Sequence, residues 1–262
     1  MRARPDSALV GLFQPSPNFE PRQGAGVPDM IVLHYTGLDN AEKAVDWLCR
    51  AESKVSAHYV LDEAGFLTQL VGEDMRAWHA GLAQWAGETD INSLSIGIEV
   101  HNPGHEFGYP EFPEPQLRVL EGLCRDIIDH HGIRPERVLA HSDVAPARKI
   151  DPGEKFPWAR LAAAGIGHWV APAPVDRADA GVARDAAGAL VAAVQARLAD
   201  YGYGIKVTGG FDPQTEFVVK AFQRHFRPQR VDGRIDQSTI TTLEWLHAAL
   251  PARTTTLRPS AG

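Results

Sequence analysis

Two apolar runs, more than a hundred residues apart, each deliver a histidine at their end: Met30-Ile31-Val32-Leu33-His34 and Val138-Leu139-Ala140-His141. The second run continues through Ser142-Asp143-Val144-Ala145-Pro146-Ala147-Arg148-Lys149-Ile150-Asp151-Pro152-Gly153, which adds a lysine and an aspartate bracketed by prolines. Two imidazoles and one carboxylate make a three-ligand zinc set with an open fourth position, where the pKa of a bound water falls to about 7 and the water becomes a nucleophile. That is hydrolase chemistry. In an extended segment alternate side chains share a face, so Lys149 and Asp151 point the same way and set a cation beside the carboxylate ligand. The chain has 11 histidines, and a single one at a strand end is more often structural than a ligand. It is the combination with Asp151 that selects His34 and His141.

Glu99 is the next candidate. Ile96, Ile98 and Val100 alternate as one apolar strand face, which leaves Ser95, Gly97 and Glu99 on the other. Two small residues beside a glutamate leave open space over the sheet, where Glu99 can take a proton from a bound water and pass it to a leaving nitrogen. The alternative is a charged group on a solvated sheet face.

These residues need a scaffold that brings strand ends together. Apolar runs suited to strands lie at Met30 to Leu33, Ala57 to Leu61, Phe66 to Val71, Ile96 to Val100 and Val138 to Ala140. Helical spacing is read at Ala41 to Ala51 and at Glu114 to His131, the latter through Leu117, Leu120, Leu123, Cys124, Ile127 and Ile128. The expectation is an α/β domain with a central mixed sheet flanked by helices, with loops and site gathered at the strand ends.

An Ala/Pro stretch, Val170-Ala171-Pro172-Ala173-Pro174-Val175-Asp176, marks a semi-stiff linker. The expected division is a catalytic domain over 1–170, a linker over 171–185 and a small three-helix domain over 186–262. In the last, a helix is expected from Ala186 to Tyr201 with Leu190, Val194 and Leu198 on one face. Asp212 and Asp236 are read as N-caps of two more, the final one running through Trp245. On this reading the linker holds the small domain away from every catalytic candidate.

Bulk composition narrows the partners. The net charge of −7 is uneven: residues 171–262 carry 11 Lys+Arg against 9 Asp+Glu, and residues 1–170 carry 15 against 24. An acidic catalytic half argues against a nucleic-acid target. No apolar run approaches the ~18–20 residues of a membrane span. Cys49 and Cys124 lack metal spacing, and Cys124 sits in a helical apolar run, so it is expected as a buried core residue. The N-terminus lacks the apolar run and small-residue cleavage site of a signal peptide, so the expectation is the cytoplasm over the periplasm. A single-chain, monomeric protein is expected.

Residues 28–161 resemble the AmpD and AmiD group of zinc-dependent N-acetylmuramoyl-L-alanine amidases, whose amidase-2 fold is shared with a phage lysozyme and with peptidoglycan recognition proteins. The segments that carry the resemblance are His34-Tyr35-Thr36, Ser56-Ala57-His58-Tyr59, Arg76-Ala77-Trp78-His79-Ala80-Gly81, Asn92-Ser93-Leu94-Ser95-Ile96-Gly97-Ile98-Glu99 and residues 140–153. The resemblance implies zinc held by His34, His141 and Asp151, Glu99 as acid/base group and Lys149 as stabiliser of the tetrahedral oxyanion. The phage-type enzyme has a cysteine as third ligand and a catalytic tyrosine before the middle histidine. Asp151 and Ala57 stand at those positions here.

Candidates for substrate contact are Trp78, His79, Asn92 and Arg148. Trp78 and His79, flanked by Ala77, Ala80 and Gly81, are read as groove wall, with core as the alternative for Trp78. Arg148 is a candidate for a stem-peptide carboxylate, against a solvent-facing default. His58 is held as structural.

Residues 186–246 resemble a three-helix peptidoglycan-binding module, through Leu198-Ala199-Asp200-Tyr201-Gly202-Tyr203-Gly204, Val218 to Phe226 and Asp232-Gly233-Arg234-Ile235-Asp236. The implied function is hydrolysis of the lactyl–L-Ala amide in peptidoglycan or anhydro-muropeptides. The alternative is a non-catalytic peptidoglycan receptor on the same fold. AmiD is a lipoprotein, and no lipid-acceptor cysteine lies near this N-terminus.

Overall fold

In the computed structural model, residues 5–24 and 26–250 are described. Residues 1–4, part of the N-terminal stretch read for a leader, and the tail 251–262, assigned above to the second domain, lie outside the described residues. Strands β1 (Leu12–Phe13), β2 (Phe19–Pro21), β3 (Met30–Tyr35), β4 (Tyr59–Leu61), β5 (Leu67–Gln69), β6 (Met75–Ala77), β7 (Ser95–Val100) and β8 (Val138–Ala140) alternate with helices. In the N-terminal part these are α1 (Ala41–Leu48), α2 (Ile91–Leu94), α3 (Glu114–His131), α4 (His141–Val144) and α5 (Trp158–Ala163), followed by α6 (Ala189–Tyr201), α7 (Pro213–Phe226) and α8 (Gln237–Ala248).

Six strands form one mixed sheet in the order β1-β5-β4-β7-β3-β8, and β2 and β6 make a separate antiparallel ribbon. β3 runs parallel to both of its neighbours, β7 and β8. Met30, Ile31, Val32 and Leu33 are all fully buried, so the run is apolar without alternation, as a strand covered on both faces requires. Each such side chain contributes about 1.5–3 kcal/mol by leaving water. Register then positions the chemistry. His34 pairs with Glu99, and Leu33 pairs with Ala140, so His141 emerges at the level of His34.

On one sheet face, α3 packs Leu117, Leu120, Leu123, Cys124 and Ile127 against Ile31, Leu33, Ile96, Ile98 and Val138. Its bounds coincide with those read from helical spacing, and Gly132, at φ 65°, ends it by donating its N–H to the Ile128 carbonyl. Cys124 is buried there, and burial pushes its thiol up to about 12. The helix expected from Ala41 to Ala51 stops at Leu48 and gives way to a 3-10 turn at Ala51–Ser53.

On the other face, Met30, Val32, Leu139, Val144, Ala80 and Trp85 belong to an apolar cluster that continues into Val191, Val194, Leu198 and Phe222 of the C-terminal helices and Tyr203 just after α6. Asp212 and Asp236 are N-caps, accepting from Thr215 N at 2.8 Å and Thr239 N at 2.7 Å. Each cap is worth about 1 kcal/mol. The face expected for α6 shifts by one position: Leu190 is 45% exposed, whereas Val191, Val194, Gln195 and Leu198 are buried. Positions 191, 194, 195 and 198 follow i, i+3, i+4, i+7 and stay on one stripe, which Leu190 lies beside.

The expected separation of the two halves is not found. The segment 171–185 contains no helix and is fastened to the module, with Ala173 N donating to Thr242 Oγ1 at 3.0 Å and the Val182 and Ile235 backbones exchanging two hydrogen bonds of 2.8 Å. Trp85 meets Tyr203 edge-on at 4.9 Å, and Ala86 N donates to Gly202 O at 2.7 Å. The change in composition at 170–176 marks where the chain passes from α5 toward the C-terminal helices, but it carries no information about which helix faces fold back on the sheet. No described helix is long and apolar enough to cross a membrane.

Candidate active site

His34 Nδ1, His141 Nδ1 and Asp151 Oδ2 form a nearly equilateral triangle with sides of 2.9, 3.0 and 3.2 Å. β3 delivers the first, α4 at the end of β8 the second, and the loop after α4 the third. Ser142 N donates to Asp151 O at 3.0 Å and ties that loop back to α4.

The hydrogen-bond chain around the triangle settles its protons. Ser95 Oγ spends its proton on the Ile91 carbonyl at 2.6 Å, so it accepts from His79 Nε2 at 3.1 Å. His79 Nδ1 is then an acceptor and takes the proton of His34 Nε2 at 3.0 Å. His141 Nε2 faces the Ala80 carbonyl at 3.1 Å and donates to it. When both rings are neutral, their Nδ1 lone pairs converge on each other and on a carboxylate oxygen. Three such acceptors within 3.2 Å of one another are a donor set that could hold a metal ion. The sides lie close to the ~3.3 Å edge of a tetrahedron with metal–ligand bonds near 2.0–2.1 Å, so the set fits zinc. Tying each ligand's second nitrogen to a fixed acceptor orients the rings.

Burial, reinforced by His141, lowers the His34 pKa to about 4, which keeps the ring neutral and available as a ligand. Burial would raise Asp151, but His141 and His34 at its oxygen hold it below the usual carboxylate range. Glu99 moves the opposite way: burial, with Asp151 nearby, pushes it well above its ordinary value against the pull of Lys149. Its Oε2 is buried without a hydrogen-bond partner among the described residues. Such a carboxyl is suited to taking up a proton and passing it on.

A cleft of ≈ 580 Å³ opens over the triangle, lined by Glu99, Trp78, His79, Arg148 and Lys149 among others. Asn92 stands behind that wall: its Oδ1 accepts from His79 N at 3.1 Å and Ala80 N at 2.8 Å, fixing the loop. Arg148 is engaged too, donating from Nη2 to the Ala80 carbonyl at 2.9 Å and from Nε to the Leu82 carbonyl at 3.1 Å. The open space expected beside Glu99 is filled over Gly97 by the His79 ring. His58 is away from the triangle, accepting from Gly97 N at 2.9 Å on Nδ1 and facing Met75 O at 3.1 Å.

Trp47, Tyr35 and His105 also line the cleft and are not among the residues singled out in the sequence. Trp47 is 46% exposed on α1. It stands three residues after Ala44 and next to Leu48, which line the same cleft, so helical spacing alone reads it as a core position. Tyr35 OH is hydrogen-bonded to His105 Nδ1 at 3.1 Å, and that pairing spans 70 residues.

Comparison with known proteins gives a consistent family. The profile described as N-acetylmuramoyl-L-alanine amidase matches residues 24–154, and one described as a peptidoglycan binding domain matches residues 187–243. The N-acetylmuramoyl-L-alanine amidase AmiD of Escherichia coli is 37% identical over 229 residues, covering 83% of this chain and 81% of that protein. The 1,6-anhydro-N-acetylmuramyl-L-alanine amidase AmpD of the same species is 32% identical over 171 residues, 58% of this chain and 91% of that protein. Among solved structures, the complex of E. coli AmiD with anhydro-N-acetylmuramic acid-L-Ala-D-gamma-Glu-L-Lys superposes with a TM-score of 0.72 at 33% identity, covering 88% of this chain and 97% of that one. AmpDh3 of Pseudomonas aeruginosa in complex with anhydromuramic pentapeptide gives 0.73 at 32% identity, with 87% and 94% covered. By the extent of the AmiD match and by the profile over its sheet and ligands, the chain belongs to the N-acetylmuramoyl-L-alanine amidase family.

Proposed function

We propose that this protein is a zinc-dependent amidase that hydrolyses the bond between the lactyl group of N-acetylmuramic acid and the L-alanine of the stem peptide. The reading is carried by the triangle of bare acceptors at His34, His141 and Asp151, set opposite an unpartnered Glu99. Its substrate class is supported by the anhydro-muropeptides present in the AmiD and AmpDh3 structures.

Zinc bound there would polarise the scissile carbonyl and make water nucleophilic at neutral pH. Glu99 accepts the proton of the attacking water on Oε2 and returns it to the departing nitrogen of L-alanine, a role its raised pKa suits. Lys149, on the cleft wall, balances the negative charge that develops on the carbonyl oxygen. Trp78 and Trp47 offer apolar walls to a sugar or peptide, and His79 and Asn92 hold the wall in place. Residues 1–170 are assigned to catalysis and 186–250 to retention on the polymeric wall, with 171–185 connecting them, in a protein that acts as a monomer.

A non-catalytic receptor would have no use for a complete ligand set beside an acid/base carboxyl. Incubating the protein with anhydro-muropeptide and, separately, with sacculi, followed by mass spectrometry, tests the reading. Release of a stem peptide with a free L-alanine amine supports it, and binding without cleavage favours the receptor.

A further inference from the structure

Asp143 is fully buried two residues past His141, and its carboxylate is met by three donors. Ala140 N donates to Oδ2 at 2.8 Å and closes the α4 turn on itself. The other two come from the C-terminal module: Tyr203 OH donates to Oδ1 at 2.7 Å, and His225 Nδ1 donates to Oδ2 at 2.7 Å. Both donors are held rigidly. The His225 ring is stacked between Trp158 at 3.7 Å and Phe226 at 3.8 Å, and Tyr203 is set edge-on to Trp85.

A four-residue helix has no stability of its own, because one turn fixes several dihedrals for a single hydrogen bond. α4 keeps its shape through tertiary contacts, and the carboxylate at its centre tolerates burial only while its donors are present. The same turn presents His141, and Ser142 N within it holds the Asp151 loop.

We propose that the C-terminal module has a second role besides wall binding: Tyr203 and His225 are positioning residues that, through Asp143, hold the α4 turn and so place His141 in the triangle. The role rests on the reading of His141 as a metal ligand, but the rigidity of the turn is measurable without metal. A module that served retention alone would need no buried polar contact with the turn that carries a ligand.

The test uses the full chain with Tyr203→Phe and, separately, His225→Phe, which keep ring packing and remove one donor each. Arg197→Ala, which breaks an exposed ion pair to Glu244 on the module, is the control. Hydrogen exchange of the metal-free proteins, read by mass spectrometry, should rise about tenfold in the peptide spanning 140–146 for both variants, with β7 and α3 unchanged and the control like the parent protein. Zinc dissociation constants from chelator competition should rise about tenfold in the variants. Unchanged exchange at 140–146, or a rise spread equally over α3 and β7, overturns the proposal, because the two residues would then only join the halves. Should the parent protein bind no zinc, the metal reading fails while the exchange data still decide the clamp.

Discussion

The imidazole of His79 occupies the volume that a side chain at Gly97 would need: a Cβ at position 97 would lie 2.6 Å from Cδ2 and Nδ1 of that ring. The missing side chain in β7 lets His79 close over the sheet and accept the proton of His34 Nε2, which turns the His34 Nδ1 lone pair toward the triangle. Gly97→Ala should therefore leave the fold intact but displace His79. Zinc affinity should fall on the order of 10–100-fold, as for other lost partners of metal-ligating histidines. Chelator competition alongside circular dichroism checks this, and parental affinity in a folded variant would contradict it.

Glu99 and Lys149 are assigned to proton transfer and charge balance, not to holding metal. Glu99→Gln and Lys149→Ala should each retain about one zinc per chain while lowering kcat on the order of 10²–10⁴. Metal analysis combined with steady-state kinetics on a soluble muropeptide separates the two effects. A nearly fully active Glu99→Gln would place the proton shuttle elsewhere.

His58 supplies a pH dependence independent of the metal. Burial, reinforced by Arg22, lowers its pKa from 6.5 to about 3 in the folded protein. The unfolded chain therefore takes up a proton that the folded one refuses. The stability contributed is complete above about pH 6.5 and is lost as pH falls through 6.5 toward 3, at up to about 1.4 kcal/mol per pH unit. Urea unfolding of metal-free protein at pH 7 and pH 5 should show a loss smaller by roughly 2 kcal/mol in His58→Asn, which cannot titrate. Equal losses in the two proteins would contradict the assignment.

Truncation at Ala171 tests the union of the two halves. The sequence alone suggests that such a fragment would keep full activity on small substrates. The structure predicts otherwise, because removing the module uncovers Trp85, which is 1% exposed in the full chain, and strips Asp143 of two donors. Re-exposing part of a side chain of ~200 Å² at ~25 cal/mol/Å² costs at most about 5 kcal/mol, a sizeable fraction of a domain's whole stability. Thermal unfolding should show a lower midpoint, and activity on soluble muropeptide should fall together with activity on sacculi. A fragment as stable and active as the full chain would refute this.

Some of this architecture was legible in the residues and some was not, for reasons tied to range. β3 and α3 announce themselves because a continuous apolar run and a helical stripe are local patterns. β1, β2 and β6 do not: they are two or three residues long, and Leu12 and Phe19 are largely exposed, so no periodicity can form. The meeting of His34, His141 and Asp151 was legible because each ends or follows a recognisable run. The work of His79, Asn92 and Arg148 was not, since it depends on which carbonyls and amides the fold brings within 3 Å. Gly97 was the available hint, because a glycine inside a strand often marks a close approach by another group. The contact of Tyr203 and His225 with Asp143 spans 60 and 82 residues and leaves no local trace.

One digest decides whether this bond is cleaved and whether zinc is needed. Protein stripped by a chelator, and the same protein restored with one equivalent of zinc, are incubated with an anhydro-muropeptide and analysed by mass spectrometry. The stripped protein should yield no product, and the restored protein should yield anhydro-N-acetylmuramic acid together with a stem peptide bearing a free L-alanine amine. Cleavage at an unchanged rate without metal, or no cleavage of this bond by the zinc-restored protein, would contradict it.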